Sequence, residues 1–329
     1  MCFHHSKQNT VYVRNAMTIV QSLQPRVGAT FNTLASGYAD GVMKVFAHAD
    51  TVVDVFDRYD NPQSVKALER ARRESNVDCK KVYQVIGGRF VPPWTKFLGN
   101  STNKMSFNEF IAEKLEVLMV AKLSRSEKRA YFIAGAYKDG KDVNLIACDR
   151  VNIVPDLFST QEEADTRMIL HMSHANEVFA RANVAGKIIV RTHDTDVLLL
   201  CIYYFPQFSN ITELWMEAGY IGKNYRLIPV HELCDVLPIE FINALPAIHA
   251  ITGCDTTSAL AYIGKNTVYD IAKLNSVLCQ DVFNAFIGHD IEDAVGVGQL
   301  LVAKLYDKTG KLHTSSLDKM RSKISIGKP

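Results

Sequence analysis

Three short runs of β-branched and other apolar residues limit the folds open to this chain. They lie at residues 11–13, 51–57 and 187–191. Segments with the 3.6-residue period of helices separate them, at residues 17–23, 33–48, 105–123 and 159–181. Strands that alternate with helices predict a mainly parallel sheet covered on both faces. We therefore expect a three-layer α/β fold, with ligands at the carboxyl ends of the strands.

Smaller elements are expected around this frame. Two strands are predicted within residues 129–149, around a turn at 138–141, and another strand at 212–216. A charged helix is predicted at residues 63–74, and residues 82–105 are read as an inserted loop or cap. Further helices are predicted at residues 197–204, 229–237, 239–252, 256–263 and 267–278. The tail from Lys308 onward is polar and basic, which predicts loose order.

Composition narrows the class of protein. The 329 residues are 47% hydrophobic and 22% charged, which is typical of a globular protein. No run of eighteen apolar residues occurs, and the N-terminus has no apolar core, so neither a membrane helix nor a signal peptide is predicted. The seven cysteines form no C-x-x-C pair, which indicates a reducing, intracellular compartment. A net charge of +2 requires any basic surface for nucleic acid to be local.

Acidic residues collect where the predicted strands end or the next helices begin. They are Asp57, Glu163, Asp165, Asp194, Asp196 and Asp255. Hard divalent cations such as Mg²⁺ take oxygen ligands, which separate loops of one sheet edge can supply. A group of this kind can hold two ions that activate a water and stabilise the leaving oxygen of a phosphodiester.

Each acidic motif also has a simpler interpretation. Glu163 and Asp165 can complement the positive end of a helix dipole. Asp194 and Asp196 can form a turn and a helix N-cap. The segment 253–255 can be a helix C-cap followed by an N-cap. The order and joint placement of the motifs favour the metal site, because separate accidents explain them poorly.

The ordered acidic series resembles that of the flap endonucleases and other PIN-like nucleases. The matching motifs are Val55-Phe56-Asp57, Glu163-Ala164-Asp165, Asp194-Thr195-Asp196 and Gly253-Cys254-Asp255. The segment Tyr262-Ile263-Gly264-Lys265 is similar to the family's helix–turn–helix glycine loop, which grips a DNA backbone. The resemblance implies a PIN-like nuclease domain at residues 1–253 and, at residues 254–329, a helical region with a helix–turn–helix-like segment and a polar tail.

A closer resemblance is to a group of transposon-associated animal proteins with a PIN-like domain. It is carried by residues 161–167 (QEEADTR), 193–197 (HDTDV), 245–250 (LPAIHA) and 253–258 (GCDTTS). Together the matches span residues 11–278. The combination is specific, although no single motif is.

The chain departs from the family at two positions. Asn15 stands where the family has an aspartate at the end of its first strand, so the site carries one charge less. Tyr262 stands where the glycine loop has a glycine, and its side chain would hinder close backbone approach. Both changes favour a decayed or repurposed copy.

Basic residues complete the predicted site. Lys66, Arg70 and Arg73 share one face of the helix after Asp57, where the family carries a lysine and an arginine that steer the scissile phosphate. The alternative is a solvated face balanced by Glu69 and Glu74. Gly264 and Lys265 are the residues expected to contact a DNA backbone.

Three functions follow from these patterns. The first is a Mg²⁺- or Mn²⁺-dependent nuclease with two ions, with DNA favoured over RNA and the nucleus favoured over the cytoplasm. Its metal ligands are Asn15, Asp57, Glu163, Asp165, Asp194, Asp196 and Asp255. The second is an inactive PIN-like scaffold, derived from a mobile element, that binds nucleic acid or protein. The third, a small-molecule α/β enzyme, is disfavoured because the chain lacks G-x-G-x-x-G, P-loop and G-x-S-x-G motifs.

Three other side-chain groups carry weaker signals. His171 and His174 are one helical turn apart, but no third zinc ligand has matching spacing, which favours a partly buried pair. Cys254 has no histidine and asparagine set around it that would support a thiol mechanism. The aromatic side chains of Tyr83, Phe90 and Trp94 are read as core or cap residues rather than as platforms for bases.

Overall fold

The structure is a computed structural model, and it describes residues 9–59, 81–126, 128–138, 142–220, 223–307 and 316–326. The chain divides into two compact units, Met1–His231 and Glu232–Pro329. The boundary expected from the sequence, between residues 253 and 254, lies inside the second unit. Each unit is described by itself below.

The first unit alternates strands and helices. Its strands are β1 (Thr10–Asn15), β2 (Thr51–Val55), β3 (Ala130–Ala134), β4 (Val143–Ala147), β5 (Arg150–Ile153), β6 (Gly186–Arg191), β7 (Ile211–Tyr220) and β8 (Lys223–Pro229). Its helices are α1 (Ala16–Ser22), α2 (Phe31–Val45), α3 (Trp94–Leu98), α4 (Ser101–Leu123), α5 (Ala164–Arg181) and α6 (Thr195–Tyr204).

Within the described residues, eight strands form one sheet in the order β5-β4-β3-β2-β1-β6-β7-β8. The five inner strands, from β3 to β7, are parallel, whereas β4, β5 and β8 are added antiparallel at the two sides. The expected α/β class with a mainly parallel sheet is therefore confirmed.

A core of apolar side chains packs between α1, α2, α3, α4 and one face of the sheet. Val52 and Tyr131 face this core from β2 and β3, and Phe31, Phe97 and Phe107 face it from the helices. Successive side chains of a strand point to opposite faces, so the buried neighbours Val53 and Phe132 belong to the other face.

The opposite face is covered by α5, which packs against β1, β2 and β6. Buried residues of α5, among them Met168 and Met172, recur at helical spacing and supply the apolar stripe. At Gly186, a Cβ would lie 2.0 Å from the ring of Phe179, so glycine lets the helix approach β6 closely. Helices on both faces are compatible with the expected three layers.

A buried ion pair lies within the first core. Arg14 of β1 donates from Nε and Nη2 to the two carboxylate oxygens of Asp54 on β2, both at 2.6 Å. The Tyr131 hydroxyl donates to Asp54 Oδ2 at 2.5 Å. Burial raises the pKa of Tyr131 well above its ordinary value, so this hydroxyl remains a donor. The network satisfies two buried charges that would otherwise be costly.

Two strands, β5 and β8, were not predicted from the sequence. β5 follows β4 through a turn of two residues, with Cys148 at φ +54, and every residue of β5 is exposed. β8 is mostly polar and pairs with β7 as an antiparallel edge strand. An exposed edge strand needs no apolar alternation, so hydrophobic periodicity does not reveal it.

The second unit is helical. Its helices are α7 (Val230–Val236), which contains the boundary between the units, α8 (Ile239–Ile251), α9 (Lys265–Ala272), α10 (Ser276–Ile287), α11 (Ile291–Tyr306) and α12 (Leu317–Ile326). Two predicted helices are wrong. Residues 256–263 form turns and irregular chain rather than a helix, and the helix predicted at 267–278 is interrupted after Ala272.

Two other predictions need correction. The helix expected from residue 159 begins at Ala164, because the Ser159 hydroxyl accepts from Gln161 N in a turn instead of capping a helix. The tail expected to be loosely ordered contains α12, whose Met320 is buried. Among the described residues, no single helix is long and apolar enough to cross a membrane; α7 and α8 pass that test only as a pair, bent by 113°.

Candidate functional site at the carboxyl edge of the sheet

The carboxyl ends of β2, β1 and β6 lie side by side, because β1 pairs in parallel with both neighbours. The chain leaves β1 for β2 on one side and reaches β6 on the other, so this is the switch point of the sheet, where ligands bind in open α/β folds. Asn15 ends β1, Asp57 follows β2, and Asp194 follows β6. The sequence analysis expected these three residues at one edge of the sheet, and the ends of their strands do lie side by side.

Asp57 is tied to the start of α5. Asp57 Oδ1 accepts a hydrogen bond from Ala164 N at 2.9 Å, and Arg58 N donates to Glu162 O at 2.9 Å. Glu163 occupies the N-cap position of α5 but does not cap it with its own side chain. The aspartate therefore satisfies one of the unpaired amides of the helix from another element. The first two acidic motifs are joined directly by this contact, and Asp165 lies in the first turn of the same helix.

Asn108 supports Asp57 from α4, and no sequence pattern singles it out. Its amide Nδ2 donates to Asp57 O at 3.3 Å. The residue is 3% exposed, and among the described residues its Oδ1 has no hydrogen-bond partner. Asn108 lines a small cleft beside Asp57 and Gly135, with about 10 Å³ open to a water-sized group. That volume is enough for about one water, which is the natural partner for the amide oxygen.

Asp194 forms the N-cap of α6, as the simpler interpretation of this motif expects. Its Oδ1 accepts from Asp196 N at 2.9 Å, and Asp194 N donates to the Thr192 hydroxyl at 3.1 Å. Asp194 is exposed, and Asp196 lies in the first turn of the helix. An N-cap uses one carboxylate oxygen, so the cap and the metal-ligand roles are compatible in donor number.

His193 is held by β7. Its Nδ1 accepts from Gly219 N at 3.0 Å, and the Arg191 guanidinium donates to Gly219 O at 2.6 Å. Burial, with a smaller contribution from Arg191, lowers the pKa of His193, so the ring is neutral at pH 7. Because Nδ1 accepts, the proton of the neutral ring resides on Nε2. The loop that carries Asp194 is thereby fixed to the neighbouring strand.

Asn15 is both the last residue of β1 and the N-cap residue of α1. It is 8% exposed, and its Oδ1 accepts from Thr18 N at 3.1 Å as the N-cap of α1. The amide oxygen at the centre of the edge is thus already used by the protein. An aspartate in the same place could make the same cap and would add a charge.

Three residues of the predicted site lie in the second unit. Asp255 is exposed in a turn in which Cys254 bridges to Thr257. Gly264 is the N-cap residue of α9. The Lys265 ammonium donates to His249 O at 2.7 Å and to the Thr252 hydroxyl at 3.0 Å, at the carboxyl end of α8. A cation there complements the helix dipole. Lys66, Arg70 and Arg73 fall outside the described residues.

Oxygen atoms are the donors at the carboxyl edge, which fits a hard divalent cation. Among the residues that the structure describes, however, no three His, Cys, Asp or Glu side chains converge closely enough to hold an ion. Binding therefore requires carboxylates to turn from the positions described here.

No family model, curated protein or solved structure matches this chain. The resemblance to PIN-like nucleases consequently rests on the sequence motifs alone.

The histidine pair, Trp94 and Cys254, which carried weaker signals in the sequence, each make contacts away from the acidic motifs of the carboxyl edge or beside Asp255. His171 is buried beside Phe132, with ring centroids 6.2 Å apart, and its neighbour His174 contacts the same ring. Trp94 stacks on Phe97 with ring centroids 5.2 Å apart, which packs the partly buried indole against the core. Burial alone would raise the pKa of the Cys254 thiol, but hydrogen bonds with the hydroxyls of Thr256 and Thr257 outweigh it and lower the pKa to about 7.

Proposed function

We propose that this chain is a metal-dependent phosphodiesterase of the PIN-like, flap-endonuclease kind. One observation supports the proposal above all: the hydrogen bond from Ala164 N to Asp57 Oδ1 joins two acidic motifs that are 107 residues apart. It does so at the switch point of a parallel sheet, where the third motif, Asp194 and Asp196, also begins a helix.

Each acidic group has a defined part in the proposed site. Asp57, Glu163, Asp165, Asp194 and Asp196 supply charged oxygen ligands, and Asn15 supplies a neutral one. Two Mg²⁺ or Mn²⁺ ions held there would supply a water that is easily deprotonated and a charge to balance the leaving oxygen. Lys66, Arg70 and Arg73 neutralise the phosphate, and Gly264 with Lys265 contacts the nucleic-acid backbone. DNA in the nucleus is the substrate we favour.

A second candidate function is an inactive scaffold that binds nucleic acid or protein. The observation that favours it is Asn15, because an uncharged oxygen already committed to Thr18 N stands at the centre of the edge. Loss of one carboxylate weakens metal binding and slows hydrolysis. The tie between Lys265 and the end of α8 favours it as well, since that ammonium already has protein partners.

The test combines metal binding with cleavage. Mn²⁺ is titrated calorimetrically into the parent and into a double variant, Asp194→Ser/Asp196→Asn. Serine keeps the N-cap and asparagine keeps the shape, so the helix is retained while two charges are lost. The exposed Asp149→Asn is the matched control. End-labelled single-stranded, hairpin and flap DNA and RNA are then incubated in Mn²⁺ and in Mg²⁺.

The nuclease predicts Mn²⁺ binding and cutting that the double variant loses and the control keeps. If the chain is an inactive scaffold, we expect neither Mn²⁺ binding nor cutting, even in the Asn15→Asp variant. Recovery of both by Asn15→Asp would identify a nuclease disarmed at that single ligand. Cutting that survives in the double variant would contradict the proposed site.

A further inference from the structure

Arg167 reaches from α5 to the end of β2. The side chain is buried, with 3% exposure. Its Nη2 donates to Phe56 O and, at 3.4 Å, to Glu162 O, and its Nε donates to Glu163 O at 3.4 Å. These carbonyls immediately precede or belong to the two acidic motifs at Asp57 and Glu163. One guanidinium therefore connects both motifs through their main chains.

Gly135, directly after β3, leaves the space for this guanidinium. Its φ is +77°, a conformation that favours glycine, and a Cβ there would lie 1.7 Å from Arg167 Nη1. Gly28 offers a contrast: its φ is +82°, but a Cβ there would meet nothing within 4 Å. Backbone conformation alone requires glycine at position 28, whereas position 135 requires it also because of Arg167.

A guanidinium suits this position better than other cations. Its planar fork can donate in several directions at once, so it can serve carbonyls of two different elements, whereas a lysine ammonium is a point charge on a flexible stem. Burial of a cation is costly unless hydrogen bonds compensate it. The side chain thus has one well-defined place, and that place fixes the distance between the end of β2 and the start of α5.

We propose that Arg167 is a positioning residue of the candidate metal site and that Gly135 exists to admit it. By holding Phe56 O against Glu162 O and Glu163 O, Arg167 keeps the carboxylates of Asp57, Glu163 and Asp165 on one edge with fixed spacing. This inference rests on the proposed function. Its consequence is that metal affinity depends on two residues that supply no ligand.

The experiment compares Arg167→Lys, Gly135→Ala and the control Gly28→Ala in the full chain. Arg167→Lys keeps the charge but loses the fork, and Gly135→Ala displaces the guanidinium without altering it. Both alanine substitutions introduce the same left-handed strain, so their difference reports the contact with Arg167. Circular dichroism and thermal melts select conditions in which every variant is folded. Amide hydrogen exchange is followed at Arg58 and Ala164, whose N–H groups bridge the motifs.

We expect Arg167→Lys and Gly135→Ala to weaken Mn²⁺ binding and to lower kcat by at least about tenfold, the usual effect of losing a group that orients metal ligands. Exchange at Arg58 and Ala164 should become faster, and Gly28→Ala should match the parent in all three measurements. The double variant Arg167→Lys/Gly135→Ala should be no worse than Arg167→Lys, because both remove the same contact.

Two results with the variants overturn the inference, and they differ from each other. Faster exchange with unchanged Mn²⁺ affinity and turnover in both variants would mean that Arg167 only braces the fold. Equal losses in Gly28→Ala and Gly135→Ala would mean that backbone strain, not the guanidinium, is responsible. A parent that binds no Mn²⁺ would instead overturn the proposed function, and the positioning role with it; the parent alone shows that result.

Discussion

Ala164 begins a helix by donating its N–H to the carboxylate of Asp57, a residue of another element. Helix α5 therefore takes its cap from the end of β2, while Glu163 stands at its N-cap position without capping it. This arrangement makes Asp57 important to stability as well as to the proposed chemistry.

Removal of the Asp57 carboxylate should destabilise the chain whether or not it binds metal. We expect Asp57→Ala to lower the free energy of unfolding by about 1–2 kcal/mol, as the loss of a helix cap does, and Asp57→Asn to cost about half as much because its amide oxygen still accepts. Urea denaturation measures both. Asp40→Ala, at an exposed pair with Lys122, is the control and should leave the midpoint unchanged. Equal losses in all three variants would contradict the capping role.

The buried ion pair predicts a non-additive double variant. Asp54→Leu strands the Arg14 charge and removes the acceptor of the Tyr131 hydroxyl, so the free energy of unfolding should fall by about 3–5 kcal/mol. Arg14→Met/Asp54→Leu removes both charges and should lose clearly less than Asp54→Leu alone. Chemical denaturation of Arg14→Met, Asp54→Leu and the double variant completes the cycle. Losses that simply add would show that the two charges do not depend on each other.

Burial lowers the pKa of His171 to about 3, with smaller contributions from His174 and Arg167. The ring is neutral in the folded chain, whereas the unfolded chain binds a proton below its ordinary pKa of 6.5. Its contribution to stability is therefore complete above pH 6.5 and is lost as the pH falls towards 3. Between pH 7 and pH 5 we expect a loss of about 2 kcal/mol from this ring.

His171→Leu should remove that part of the pH dependence. Urea midpoints at pH 7, 6 and 5 give the slope for the parent and the variant, and their difference isolates His171 from His174 and His193, whose pKa values are also lowered by burial. Identical slopes in the two proteins would mean that His171 is not buried as a neutral ring.

Tyr262 adopts φ +62° with 94% of its side chain exposed. A left-handed conformation costs a residue with a Cβ roughly 1–2 kcal/mol. Tyr262→Gly should therefore raise the free energy of unfolding by about 0.5–1 kcal/mol, after the greater freedom of glycine in the unfolded chain is subtracted. Tyr262→Ala removes the ring but keeps the Cβ, so it should give no gain. A gain from alanine equal to that from glycine would assign the cost to the ring.

The Tyr262 geometry shows what motif comparison can and cannot supply. The resemblance to the family's glycine loop implied a glycine at position 262, and the backbone there has the conformation that favours glycine. The surrounding prediction of a helix at 256–263 was wrong, because Gly253 at φ +107° packs on the Ala259 backbone and the chain turns instead. A left-handed glycine and a contact six residues away leave no periodic signal.

The strands that end at the candidate site were predictable because β1 and β2 are buried at nearly every residue and β6 at every second one, so all three are largely apolar in sequence. The residues that contact the ends of these strands, Arg167 and Asn108, were not predictable. Arg167 looks in the sequence like a surface cation at the start of an amphipathic helix, and Asn108 looks like any polar residue of α4. Arg167 donates a hydrogen bond to the main-chain carbonyl of Phe56, and Asn108 donates one to that of Asp57, so both contacts are made with another element. Carbonyl oxygens are common to every residue, so no side-chain pattern points to them.

The place of β1 in the sheet has a consequence for synthesis on the ribosome. β1 is made first, yet it pairs on one side with β6, whose partner residues extend to Arg191. Until that residue emerges, a nascent chain carries an open strand edge in the middle of its future sheet, and such edges invite pairing with other chains. Translation must pass the whole of α5 before that edge is closed.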